Sequence, residues 1–124
     1  MSDVSDVSDQ GSSTDVVMAF LACGGRRDFS AARELLDENV RRSGAGADRC
    51  GRDDYLAYLE SVMSGALEYE YTVKRCIESA DGETVVVEID ERLTQADGTK
   101  LSASEVMIFD LTAEGRIGRL TVYG

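Results

Sequence analysis

The chain has 124 residues, a formal net charge of −11 at pH 7, no histidine, and 43% hydrophobic and 30% charged residues. This is the composition of one ordinary globular domain with a single core. Its acidity argues against nucleic acid, because nothing could neutralise a row of phosphates, and is expected to serve solubility.

Residues 1–13 repeat an Asp-Val-Ser motif without helical or strand period and read as a disordered acidic tail. The rest, 14–124, reads as one domain. Ser13 or Thr14 is expected to cap a first helix carrying Val16, Val17, Phe20 and Leu21 and ending at Gly24-Gly25. A second helix is expected from Asp28 or Ser30 to near Asn39, with Ala32, Leu35 and Leu36 on one face. Val40 to Ser43 reads as a short strand, and 44–51 as a glycine-bearing loop. Asp53 opens a third helix with Tyr55, Leu56, Leu59, Val62 and Met63 at helical spacing.

From Leu67 onward the chain alternates as four long strands. They are separated by Ala80-Asp81-Gly82, Ala96-Asp97-Gly98 and Ala113-Glu114-Gly115. An Ala-acid-Gly triplet suits a three-residue hairpin loop whose glycine adopts positive φ. Three such turns give an antiparallel meander, and the fold class is α+β with the three helices over one face. Closing each loop at 79/83, 95/99 and 112/116 sets the register and hence the faces. The inner face then carries Leu67, Tyr69, Tyr71, Val73, Arg75 and Ile77, then Val85, Val87, Ile89, Glu91 and Leu93. It continues with Leu101, Ala103, Glu105, Met107, Phe109 and Leu111, and ends with Ile117, Arg119, Thr121 and Tyr123. The outer face is charged at its edges, with Cys76, Val86, Val106, Ile108, Leu120 and Val122 clustered at its centre. An apolar patch rimmed by charge points to a homodimer through that face.

The charged residues on the inner face carry the functional expectation. Glu91 and Glu105 are diagonal neighbours, with Cβ atoms about 7 Å apart. Proximity and burial would keep one of them protonated near neutrality, as an acid–base pair requires. Arg75 and Arg119 would hold an anionic group or pair with an acid. The competing reading is that each is a solvated strand end. The expected cavity is bounded by Tyr71, Glu91, Glu105, Met107, Thr121 and Tyr123, with Phe20 and Tyr55 or Leu59 from the helices, and would take a small apolar molecule.

Without histidine, a Ser-His or Cys-His nucleophile is excluded and proton transfer falls to Asp, Glu, Tyr or Lys. Cys23, Cys50 and Cys76 have no metal-ligand spacing and are expected to be free thiols in a reducing cytoplasm. No metal and no cofactor are expected. The apolar run 16–23 is too short to cross a bilayer, and no signal peptide is expected before it.

VVMAFLACGGRRDFSAARELLDENV (16–40), GRDDYLAYL (51–59) and EGRIGRLTVYG (114–124), in this order, resemble the nuclear transport factor two-like superfamily. Its members include ketosteroid isomerases, limonene epoxide hydrolases and SnoaL-type polyketide cyclases. The resemblance spans nearly all of the chain after the tail and implies a curved sheet wrapped around helices as a cone, cystatin-like, with a ligand pocket in its mouth. The ketosteroid isomerase positions are not kept: Phe20 stands at the oxyanion tyrosine, Ser43 or Gly44 at the base, and Met107 at the second oxyanion acid. The epoxide hydrolase Arg-x-Asp falls on Ile89-Asp90-Glu91, which keeps an acid and loses the arginine, and its last-strand aspartate falls on Thr121. The resemblance implies an isomerase, cyclase or epoxide-opening hydrolase, for which the Glu91 and Glu105 of the register would supply proton transfer, or a non-catalytic binding or interaction module of the same fold.

Overall fold

The computed structural model describes residues 12–124. The expected tail falls mainly on 1–11, outside the described residues. Its last two expected members, Ser12 and Ser13, belong instead to the first helix, α1 (Ser13–Arg26). Ser12 is the cap: its hydroxyl accepts from the Asp15 N–H while Asp15 accepts from the Ser12 N–H. Ser13 donates to the Gly82 carbonyl and Thr14 to Glu78, which pins this helix end to the first hairpin. The helix runs past Gly24-Gly25 and closes on Arg27, in the left-handed conformation at φ 62°. Arg27 Nη2 then donates to the Ala66 carbonyl at 2.7 Å.

Asp28 caps α2 (Phe29–Leu35), which stops four residues before the expected end. β1 (Leu36–Ser43) starts at once. Leu36 pairs with Ile117, and both are fully buried. The Asp37 carboxylate accepts from the Asn39 N–H at 2.9 Å, which turns the backbone locally away from a helix. β2 (Arg49–Cys50) and α3 (Arg52–Ser64) follow. The meander is β3 (Ala66–Glu78), β4 (Thr84–Gln95), β5 (Lys100–Leu111) and β6 (Ile117–Tyr123). The sheet is curved, six-stranded and open, with order β2-β1-β6-β5-β4-β3. It is not wholly antiparallel as expected, because β1 lies parallel to β6.

The β4–β5 register is the expected one along its whole length. The other two hairpins each carry a shift that exchanges faces. In β3 the expected pairs hold from Glu68 to Val73, then a bulge at Lys74 advances the register by one. Arg75 and Ile77 therefore face outward, and Cys76 turns inward to pack half-buried against the core. In β6 only Ile117 keeps its expected pair, with Leu111; Gly118 is then bypassed and Arg119 pairs with Asp110. Leu120 and Val122 consequently lie in the core at 0% and 1% exposure, while Arg119, Thr121 and Tyr123 move to the outer face. Leu67, at a third irregularity, is 62% exposed.

Energetics decide these shifts. The unshifted register would bury the Arg119 guanidinium, which costs several kcal/mol without a partner. The shifted one buries a leucine and a valine instead, each worth about 1.5–3 kcal/mol. The core so formed joins Val17, Phe20, Leu36, Val40, Leu56, Val85, Val87, Ile89, Phe109, Ile117, Leu120 and Val122. It fills one end of the sheet and leaves the other end, under α3, open.

Candidate functional site

A cavity of about 290 Å³ occupies that open end. α3 supplies Tyr55, Tyr58, Leu59 and Val62, two i,i+4 pairs on one face of the helix. The inner face of the sheet supplies Tyr69 from β3, Glu91 and Leu93 from β4, and Leu101, Ala103, Glu105 and Met107 from β5. β1 supplies Arg42. Three aromatic and several aliphatic side chains around a few polar groups is the usual make-up of a small-molecule site.

Glu91 sits opposite Tyr71 and Ala103, and Glu105 opposite Ile89, so the two carboxyls are diagonal neighbours on adjacent strands. The Tyr69 hydroxyl donates to Glu91 Oε2 at 2.5 Å. Burial and the Glu91 carboxylate both raise the pKa of that phenol, so Tyr69 stays a donor. Burial, hydrogen bonding with Glu91 and the Glu91 charge push Glu105 from its ordinary 4.5 up to about 7, against a smaller opposing pull from Arg42. Glu105 thus keeps its proton to a higher pH than an ordinary carboxyl. Burial also raises the Tyr55 phenol, which at 2% exposure forms the inner wall. The chain end packs beside Glu105: a Cβ at Gly124 would lie 3.1 Å from Glu105 Cγ.

Arg42 is the one buried charged residue among those described, at 8% exposure. Its Nη1 donates to the carbonyls of Gly44 at 2.5 Å and Ala47 at 2.6 Å. Its guanidinium lies 5.6 Å from the Tyr58 ring centroid, and that of Arg49 lies 4.7 Å from the same ring.

Of the residues expected at the site, Glu91, Glu105, Tyr55, Leu59 and Met107 line the cavity. Phe20 lies behind it, in ring contact with Tyr55 and Phe109. Tyr71 shares the inner face but opens on a separate groove with Gly25, Arg26 and Arg92. Arg75, Arg119, Thr121 and Tyr123 are on the opposite face, because of the two bulges. Arg75 is spent there on a 2.8 Å ion pair with Glu88. Tyr123 pairs with Val106, not Glu105, and is 58% exposed. The cavity arginine is Arg42 instead, which sequence reasoning passed over together with Tyr58; Tyr69 is expected on the inner face but not at the site. Alternation within β1 from Val40 to Arg42 was the available signal for the first. Among the described residues no cluster of His, Cys, Asp or Glu could hold a metal, and the three cysteines are free. No helix among them is long and apolar enough to cross a membrane.

The model of the SnoaL-like domain matches residues 17–120, which takes in every helix and strand that builds the cavity. The chain belongs to the SnoaL-like domain family. No curated protein matches it in sequence. Among solved structures, Rv0760c from Mycobacterium tuberculosis, in complex with estradiol-17β-hemisuccinate, superposes with a TM-score of 0.83 at 12% identity, over 92% of this chain and 95% of that one. SalBIII, an epoxide hydrolase/cyclase-like enzyme of pyran ring formation in the polyether salinomycin, gives 0.79 at 23% identity, over 99% and 93%. An M. tuberculosis epoxide hydrolase of the limonene epoxide hydrolase-like type gives 0.76 at 22%, over 90% and 80%. At these identities the likeness establishes the fold alone: this SnoaL-like domain has the architecture of nuclear transport factor two-like proteins, the resemblance expected from sequence.

Proposed function

We propose that this SnoaL-like domain is a cofactor-independent acid–base enzyme that opens an epoxide, or closes a ring onto one, in a small and mostly apolar metabolite. One observation carries the reading: two carboxyls share a wall of the cavity, and burial beside Glu91 pushes Glu105 up to about 7. A carboxyl raised to that range can serve as a general acid near neutrality. Glu105, in its protonated form, gives its proton to the epoxide oxygen as the C–O bond breaks. Glu91, oriented by the Tyr69 hydroxyl, takes the proton of the attacking water or internal hydroxyl as the new C–O bond forms. Passing that proton from Glu91 to Glu105 restores the starting state. The epoxide hydrolase and cyclase-like enzyme of the same fold support the reaction class.

The 2.5 Å bond from Tyr69 also suits a cavity that only binds, since it satisfies Glu91 within the protein. Glu91→Gln and Glu105→Gln separate the two readings. With 1-methylcyclohexene oxide in ¹⁸O water, the enzyme reading expects diol bearing the label and a loss of about 10²-fold or more in turnover in each variant. Retained binding with no turnover by the unmodified protein, over a panel of cyclic and acyclic epoxides, would leave the binding module as the function.

For assembly, a homodimer through the outer sheet face is the reading that best fits the exposed side chains. Ile77, Val86 and Ile108 stand in one row across β3, β4 and β5, with Val106 and Tyr123 in the next row. The expected members Cys76, Leu120 and Val122 drop out, because the bulges turn them inward.

A further inference from the structure

We propose that Arg42 is the anion-receiving end of the cavity and that the ligand is an apolar molecule carrying a carboxylate. The inference rests on the cavity being a ligand site; it does not require that the site be catalytic.

Arg42 is buried, yet no carboxylate among the described residues lies within 4.0 Å of it. Both of its hydrogen bonds use Nη1 and end on neutral carbonyls. Among the described residues Nη2 and Nε have no partner, neither is a sealed, unsatisfied atom, and Arg42 lines the cavity. A buried guanidinium without a counter-ion is costly, and is retained where something else supplies the negative charge.

The neighbouring carboxyls do not pair with it. Glu91 takes its hydrogen bond from Tyr69, and Glu105 feels the Arg42 charge without forming an ion pair with it. Asp48, in the loop that follows, is turned elsewhere: its Oδ1 accepts from the Gly44 N–H on the exposed side of the loop. Arg49 stands over the same Tyr58 ring but does not line the cavity. Arg42 is thus the positive charge that the cavity itself presents, beside a largely apolar wall. A planar carboxylate matches the free edge of a guanidinium better than a point anion does. A ligand held there would extend its apolar body over Leu59, Met107 and Leu93 toward the two glutamates.

The alternative is that Arg42 only clamps the 44–48 loop through its two carbonyl bonds. Calorimetric titration at pH 6 with 4-cyclohexylbutanoate and its primary amide decides between them. The two probes share an apolar body and differ in charge. The unmodified protein is expected to bind the acid about 10-fold or more tighter than the amide, the range of a hydrogen bond to a charged group. Arg42→Gln should bring the two affinities within about twofold, and Arg42→Lys should retain part of the preference. If Arg42→Gln does not fold, the comparison on the unmodified protein and Arg42→Lys still decides. Equal affinities, a preference for the amide, or no binding of either probe by the unmodified protein overturns the proposal. Glu91→Gln should keep the preference for the acid whether or not Glu91 is catalytic, so a failed turnover assay and a failed anion site remain distinguishable.

Discussion

At the scale of single residues, Glu105 couples stability to pH. A carboxyl raised from 4.5 to about 7 binds its proton more tightly in the folded chain than in the unfolded one. Between these values the folded state holds more protons, so stability is fullest at low pH and is lost as pH rises to about 7. Glu105→Gln removes that slope. Its melting temperature relative to the unmodified protein should rise between pH 5 and pH 8, with no further change above. Glu105 is half-buried, so the effect is modest. A difference that stays flat with pH, measured by calorimetry at both values, would show that Glu105 is not held neutral by the fold. If Glu105 is the acid, kcat/KM should also fall about tenfold per pH unit above 7, as the protonated fraction does.

At the scale of elements, bulges and one close approach govern the site. β1 ends where Gly44, at φ 96°, brings the chain against β6. A Cβ there would lie 2.1 Å from the Val122 carbonyl oxygen, a distance no side chain tolerates. The same turn supplies the Gly44 carbonyl that holds Arg42. Gly44→Ala should therefore lower stability by about 2–4 kcal/mol, through clash and backbone strain together. Because the damage falls on the anchor of Arg42, ligand affinity should drop as well in whatever fraction remains folded. Urea denaturation of this variant beside Gly46→Ala is informative, since a Cβ at Gly46 meets nothing within 4 Å. Equal losses in the two would mean that positive φ alone, and not the contact with β6, sets the cost.

At the scale of the whole molecule, the two faces of one sheet are built differently. The inner face holds the core and the cavity. The outer face alternates ion pairs such as Arg75–Glu88, at 2.8 Å, with the apolar row through Val86 and Ile108. If that row is the dimer surface, Ile108→Asp should yield a monomer by light scattering, because the interface would have to bury an unpaired carboxylate. The cavity opens on the other face, so affinity for a ligand should change little in that variant. An unmodified protein that is monomeric at high concentration would remove the dimer.

The amino-acid sequence by itself determined the class of fold, three helices and a meander, and one register completely. The Ala96-Asp97-Gly98 turn closes β4 on β5 with no irregularity, and those two strands carry both glutamates. This is why the acid pair was legible: its geometry depends on one hairpin, and local turn chemistry dictates a hairpin. What tertiary structure decided lies beyond such local reach. The bulge at Lys74 leaves no mark in composition, and it moves Arg75 off the site. Gly118 is a mark, since an isolated glycine in a strand signals a bulge, and it moves Arg119, Thr121 and Tyr123. Arg42 joins the site only because β1 pairs in parallel with β6, some eighty positions later in the chain. Periodicity reports which residues share a face while the period lasts. Where it slips, the cost of burying a charge against the gain of burying an aliphatic side chain sets the register, and only the packed molecule sums the two.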